Sequence, residues 1–180
     1  MFKKYMIVLA AALCVVSLTA CGNQKAEAQQ QTAQAETVAD LKIGAPAPDI
    51  DLPAADGKIV KLSQLYAQGP VFINFWASWC PPCVGEMPDI QKAYDAHKQE
   101  IQFIAVNMDQ KKDDGVAFWR DGKYTIPMYQ PNIQKVSRDY RISGIPMSVL
   151  VDARGIIVNI RVGSMDEKEL EEFLNSISKK

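Results

Sequence analysis

Apolar and polar residues alternate in two short runs, Asp49-Ile50-Asp51-Leu52 and Lys58-Ile59-Val60-Lys61-Leu62. They flank Ala55-Asp56-Gly57, which together predicts a β-hairpin. Ser63 is placed to cap a short helix running to Tyr66, and Gly69-Pro70 closes it. The pattern then changes. Val71 to Trp76 is apolar at every position but Asn74 and reads as a buried strand, with Ile101 to Asn107 as a second one. Between them, Pro82 to about Gln99 carries Met87, Ile90, Ala93 and Tyr94 near helical spacing, and Pro88 inside that helix predicts a kink.

Further along, Asp113 to Arg120 predicts a helix whose Phe118 and Trp119 read as packing residues, with Gly122 as its stop. Tyr124 to Tyr129 predicts a short strand, and Asn132 to Tyr140 a helix ending before Gly144-Ile145-Pro146. Met147 to Val151 and Gly155 to Val162 form a hairpin around Asp152-Ala153-Arg154-Gly155. The last helix, from Met165-Asp166 to Ile177, puts Leu170, Phe173, Leu174 and Ile177 on one stripe. After this ββα-like entry the order is βαβαβαββα, an α/β domain.

The start of the chain has another character. Lys3 and Lys4 precede an apolar run from Met6 to Val16 and then Leu18-Thr19-Ala20-Cys21, the form of a bacterial lipoprotein signal. The stretch from Tyr5 to Ala20 is shorter than the ~20 residues that a membrane-spanning helix needs. Residues 1–20 are therefore expected to be a signal peptide, with Cys21 lipidated at the new N-terminus. Residues 21–39, rich in Gln, Ala, Glu and Thr, read as a flexible tether, and 40–180 as one domain with a single core. This places the domain outside the cytoplasm, on a bacterial membrane and on its periplasmic face if the host has two.

Net charge decides little. The whole chain carries −1, and losing Lys3 and Lys4 from 20 basic residues leaves 18 against 21 acidic, or −3. No basic face marks a nucleic-acid partner, and a monomer is expected.

With Cys14 removed and Cys21 lipidated, the cysteines left to react are Cys80 and Cys83, in Trp79-Cys80-Pro81-Pro82-Cys83 directly after the strand Val71–Trp76. A helix beginning here brings the two sulfurs within reach of each other and sets Cys80 among unpaired helix N–H groups that favour thiolate. Cys80 is then the exposed nucleophile, and Cys83, one turn deeper, the resolving thiol. A zinc half-site is disfavoured: zinc needs four ligands, no second Cys pair exists to complete the site, and the chain has one imidazole, His97, which is expected to be exposed. A merely structural staple is disfavoured because so small a loop restricts the unfolded chain little. No cofactor is expected beyond the dithiol, and no metal.

From Ile43 to Ile177 the chain resembles the thioredoxin fold, and within it the membrane-tethered thiol-disulfide oxidoreductases of the TlpA/ResA type, related to cytochrome c maturation reductants. The resemblance rests on Gly44-Ala45-Pro46-Ala47-Pro48, Asn74 through Cys83, Glu86-Met87-Pro88, Gly144-Ile145-Pro146 and Asp152-Ala153-Arg154-Gly155. It implies a central mixed sheet flanked by helices, with an added N-terminal β-hairpin. It also implies a cis Ile145-Pro146 bond against the dithiol, with Ile145 pairing edge-on to an extended client and Trp79 as an apolar contact. Glu86, three residues after Cys83, then takes the proton from that thiol. Thioredoxin usually has a buried Asp six residues before its first cysteine, where this chain has Asn74.

By the same resemblance the clients are protein disulfides, such as apocytochrome c or a partner reductase, with electrons supplied by a membrane donor protein. Alternatives are a disulfide-donating oxidase, a non-catalytic docking lipoprotein and a peroxiredoxin-like peroxidase. The last would need a Thr or Ser three residues before Cys80 and a Pro seven before, where Ala77 and Ile73 stand.

Overall fold

The computed structural model describes residues 41–54 and 56–179. The expected signal peptide, Cys21 and the tether lie outside the described residues. Among those described, no helix is long and apolar enough to cross a membrane.

The entry hairpin pairs β1 (Asp51–Pro53) with β2 (Ile59–Lys61), antiparallel, with Leu52 opposite Val60. The short helix α1 (Leu62–Tyr66) starts one residue earlier than the Ser63 cap predicts. Lys61 takes the cap position and its N–H donates to the Gln64 side chain, while Ser63 donates through N–H and Oγ to Asp49 instead.

Behind the hairpin stands a mixed sheet of five strands in the order β5-β4-β3-β6-β7. Its centre is β3 (Val71–Trp76), parallel to β4 (Gln102–Asn107) and antiparallel to β6 (Met147–Val151); β7 (Ile157–Val162) continues antiparallel at one edge. Strands β3 and β6 are buried at every residue, which is why each reads as an apolar run broken only by one polar residue, Asn74 in β3 and Ser148 in β6, and these two hydrogen-bond to each other. At the other edge β5 is only Met128–Tyr129, shorter than the Tyr124–Tyr129 strand expected. Tyr124 stacks on Phe118 and Trp119 rather than entering the sheet.

Strand alternation sends Phe72, Asn74 and Trp76 to one face of β3 and Ile73 and Phe75 to the other. The first face is covered by α2 (Pro81–His97), α3 (Lys112–Asp121) and α5 (Glu167–Leu174). Phe72 meets Phe173 of α5, Asn74 meets Glu86 of α2, and Trp76 stacks on Phe118 and Trp119 of α3, which are packing residues as expected. On the opposite face Phe75 packs against Tyr140 at the end of α4 (Ile133–Asp139). The final helix stops at Leu174 and a 3-10 turn carries the chain through Ile177. His97 is half-buried rather than exposed, because α2 and α5 lie side by side and Glu171 holds its Nε2 at 3.1 Å.

Candidate active site

The site is built where β3 ends. Trp76 is its last residue, Ala77-Ser78-Trp79 make the turn, and Cys80 is the N-cap of α2. Pro81 and Pro82 fill the first helical positions, where a missing N–H costs nothing and the fixed φ suits a helix. The first N–H of this end that can reach the sulfur is therefore that of Cys83, which donates to Cys80 Sγ at 3.3 Å. On reduction that N–H and the positive end of the 17-residue helix favour a thiolate at Cys80.

Cys80 and Cys83 are joined in a disulfide of 2.04 Å, so the site is in its oxidised state. Cys83 is fully buried, as its deeper place in the helix predicts. Cys80 departs from the expectation of exposure, at 3 % accessible. The reason lies across the sheet. Strand β6 runs antiparallel to β3 with Met147 opposite Phe75, so Pro146, the residue before β6, comes up beside the end of β3 and the redox turn. The Ile145-Pro146 bond is cis, and the Ile145 carbonyl oxygen lies 3.6 Å from Cys80 Sγ. A disulfide sulfur has no proton to donate, so this is a contact now and a hydrogen bond only once Cys80 is a thiol.

Glu86 is buried under the first turns of α2, 3 % exposed, not a solvated helix residue. Its Oε1 accepts from Asn74 Nδ2 at 2.9 Å and its Oε2 from the Met165 N–H at 3.0 Å. Asn74 also donates to Ser148 Oγ at 3.1 Å. Burial pushes the Glu86 carboxyl up from the ordinary 4.5 to about 7, against the two hydrogen bonds, which pull it down; the nearby Asp89 adds to the rise. A carboxyl with this affinity for its proton changes charge near neutral pH, the range in which a general base works.

Trp79, by contrast, is 67 % exposed. Beside it opens a groove of about 550 Å³ lined by Trp79, Met108, Ile133, Ile142 and Ile145, with Asp109 at its floor. The structure thus brings together Trp79, Cys80, Cys83, Ile145 and Pro146 at one end of the sheet, with Glu86 buried three residues further along α2. Among the described residues no group of three or more His, Cys, Asp or Glu is placed to hold a metal ion. At the positions a peroxide site would need hydroxyl and Pro, Ala77 and Ile73 are fully buried.

One part of the site goes unread in the sequence. Asp109, two residues past β4, is 1 % exposed and hydrogen-bonded to Ser78 of the redox turn. The available signal was Asn107 and Asp109 standing at the carboxyl end of an otherwise apolar strand parallel to β3, the end where open α/β sheets place their sites.

Residues 43–160 match the model of the AhpC/TSA family. The thiol-disulfide oxidoreductase ResA of Geobacillus thermodenitrificans is 31% identical over 138 residues, 76% of this chain and 79% of that protein. Among solved structures, the thioredoxin domain of a thiol-disulfide oxidoreductase from Bacteroides vulgatus superposes with a TM-score of 0.66 at 25% identity, covering 77% of this chain and 97% of that one. StoA from Bacillus subtilis does so with a TM-score of 0.61 at 28% identity, over 72% and 98%.

Proposed function

This chain belongs to the AhpC/TSA family and is a thiol-disulfide oxidoreductase of the ResA type with a thioredoxin-like fold, and from that premise we propose that it reduces disulfides of extracytoplasmic client proteins. The observation that carries the reading is the buried Glu86, held by Asn74 and Met165 three residues after a Cys80–Cys83 pair at a helix N-terminus.

The Cys80 thiolate attacks a client disulfide, forming a mixed disulfide and releasing one client thiolate, which takes up a proton from solvent. Cys83 gives its proton to the Glu86 carboxylate and attacks Cys80 Sγ. The second client thiolate leaves, and the Cys80–Cys83 bond closes into the state described above. An extended client segment pairs with the Ile145 backbone beside Pro146 and rests on Trp79.

The rest of the chain fits such a role. Residues 1–20 serve as a lipoprotein signal, Cys21 bears the lipid, and residues 21–39 tether a monomeric domain, 40–180, to a bacterial membrane outside the cytoplasm, on its periplasmic face if the host has two. Reducing equivalents come from a membrane electron-donor protein. Apocytochrome c thiols awaiting haem, or a partner reductase, are the client classes in keeping with the ResA-like sequence.

The test is the reduction potential of the pair, found by equilibrating the full-length protein in detergent against dithiothreitol buffers and counting thiols. A value near the ~−270 mV of thioredoxin supports a reductase, whereas one near ~−120 mV makes the protein a disulfide donor and overturns this reading.

A further inference from the structure

Asp109 is a buried carboxylate whose contacts converge on the redox turn. Its Oδ1 and Oδ2 accept from the Ser78 N–H at 3.2 and 3.1 Å, and Oδ1 also accepts from Ser78 Oγ at 2.9 Å. Its own N–H donates to Asn107 Oδ1 at 2.7 Å. Helix α3 passes over this pair with Gly115, where a Cβ would run into Asn107 Nδ2 and come within 2.7 Å of Asp109 Oδ2. Ser78 stands two residues before Cys80, whose N–H is bonded to Ala77 O at 3.2 Å. The turn carrying the nucleophile is thus tied to the end of β4 by one acidic side chain.

Donors alone surround Asp109 on the Ser78 side, and an amide oxygen would hold the Ser78 N–H nearly as well. What the acid adds is charge in a buried place bonded to the turn two residues before Cys80. A negative charge there opposes the thiolate that the helix end and the Cys83 N–H favour. The other charged groups around this end are Lys111 and Asp114, which line the same groove from the start of α3, and Glu86 on α2.

We propose that Asp109 is a positioning residue that sets the reactivity of Cys80: it fixes the Ser78-Trp79-Cys80 segment through Ser78 and keeps the Cys80 thiol less acidic than its helix N-terminus alone would make it. This rests on Cys80 being the nucleophile. Its consequence in the cycle is a less stabilised reduced state, hence a better electron donor to client disulfides.

The experiment is the pH dependence of iodoacetamide alkylation on the reduced full-length protein in detergent, with the modified cysteine identified by mass. Asp109→Asn keeps an acceptor for Ser78 and removes the charge. Its Cys80 midpoint moves to lower pH, so that about a unit below the wild-type midpoint Cys80 reacts about threefold faster. Ser78→Ala keeps the charge and the backbone donor and leaves the midpoint in place. A midpoint unmoved in Asp109→Asn overturns the proposal, as does one that Ser78→Ala shifts equally. Should Asp109→Asn not fold, Asp109→Ser, which equally lacks the charge, carries the same expectation. If wild-type protein is alkylated first at Cys83, it is the nucleophile assignment that fails, separately from the role of Asp109.

Discussion

Glu86 and Asn74 meet in the core, with Glu86 Oε1 accepting a hydrogen bond from Asn74 Nδ2 at 2.9 Å and both side chains buried. The amide orients the carboxylate without adding a charge. Asn74→Asp would set two carboxyls at that spacing in a site where burial already holds Glu86 at about 7. They would share one proton, and the second ionisation would rise further. The resolving step in Asn74→Asp is therefore expected to reach its plateau about one pH unit or more above wild type. Stopped-flow decay of a peptide mixed disulfide across pH 6 to 10 measures this, and superimposable profiles would mean that Glu86 does not hold the proton.

Replacing Glu86 itself separates its two possible roles. Glu86→Gln keeps an oxygen for one of its two donors but removes the base, so release of the client from the mixed disulfide slows by about 100-fold. Alkylation of Cys80 stays near the wild-type rate. Insulin-disulfide reduction at an unchanged rate would reduce Glu86 to a packing role.

The same carboxyl makes stability depend on pH in an unusual direction. Its folded pKa, about 7, lies above its ordinary 4.5, so the native state binds the proton more tightly than the unfolded chain does. The stability tied to that proton is complete below about 4.5 and is lost as pH rises through about 7, on the order of 3 kcal/mol across the window. Urea unfolding of the oxidised protein at pH 5 and pH 8 gives the difference, and Glu86→Gln is expected to flatten it. Equal slopes in the two proteins would remove the assignment.

These groups also mark how far the sequence could be read. β3 was legible to the residue because a strand buried on both faces is apolar at nearly every position, here at all but Asn74, and the dithiol because its cysteines follow that strand closely. Pro146 was placed by motif, and its position beside Cys80 follows from the register of Met147 against Phe75, which no local pattern encodes. The burial of Cys80 was missed for the same reason: what covers it arrives from 65 residues away. Asp109 was missed because one acid after a strand looks like any loop residue until Ser78 is found above it, 31 residues earlier in the chain. The strand expected at Tyr124 fails on a choice between two apolar environments, and the aromatic stack with Phe118 and Trp119 wins.

Trp79 is the largest apolar side chain at the site that reaches solvent. Its removal leaves no cavity, so Trp79→Ala is expected to keep the wild-type Tm. The loss falls on client binding: KM for a protein disulfide rises about threefold to tenfold, while iodoacetamide, too small to use the groove, still reacts with Cys80 at the wild-type rate. A parallel fall in both rates would show instead that Trp79 holds Cys80 in place.

Two helical glycines are expected to answer the same substitution with opposite signs. Gly85, exposed in α2, has open space where a Cβ would go, so Gly85→Ala removes backbone freedom from the unfolded chain and stabilises by about 0.5 to 1 kcal/mol. Gly115 of α3 shares the propensity gain but lies over Asn107 and Asp109, both buried, the first held through its Oδ1 by the Asp109 N–H and the second through both carboxylate oxygens by Ser78. The new methyl must displace one of them, and Gly115→Ala is expected to destabilise by about 1 to 3 kcal/mol. Denaturant midpoints decide this directly. If Gly115→Ala also moves the alkylation midpoint of Cys80 and Gly85→Ala does not, the displaced group is Asp109; a stable Gly115→Ala would mean that the pocket under α3 is looser than its contacts require.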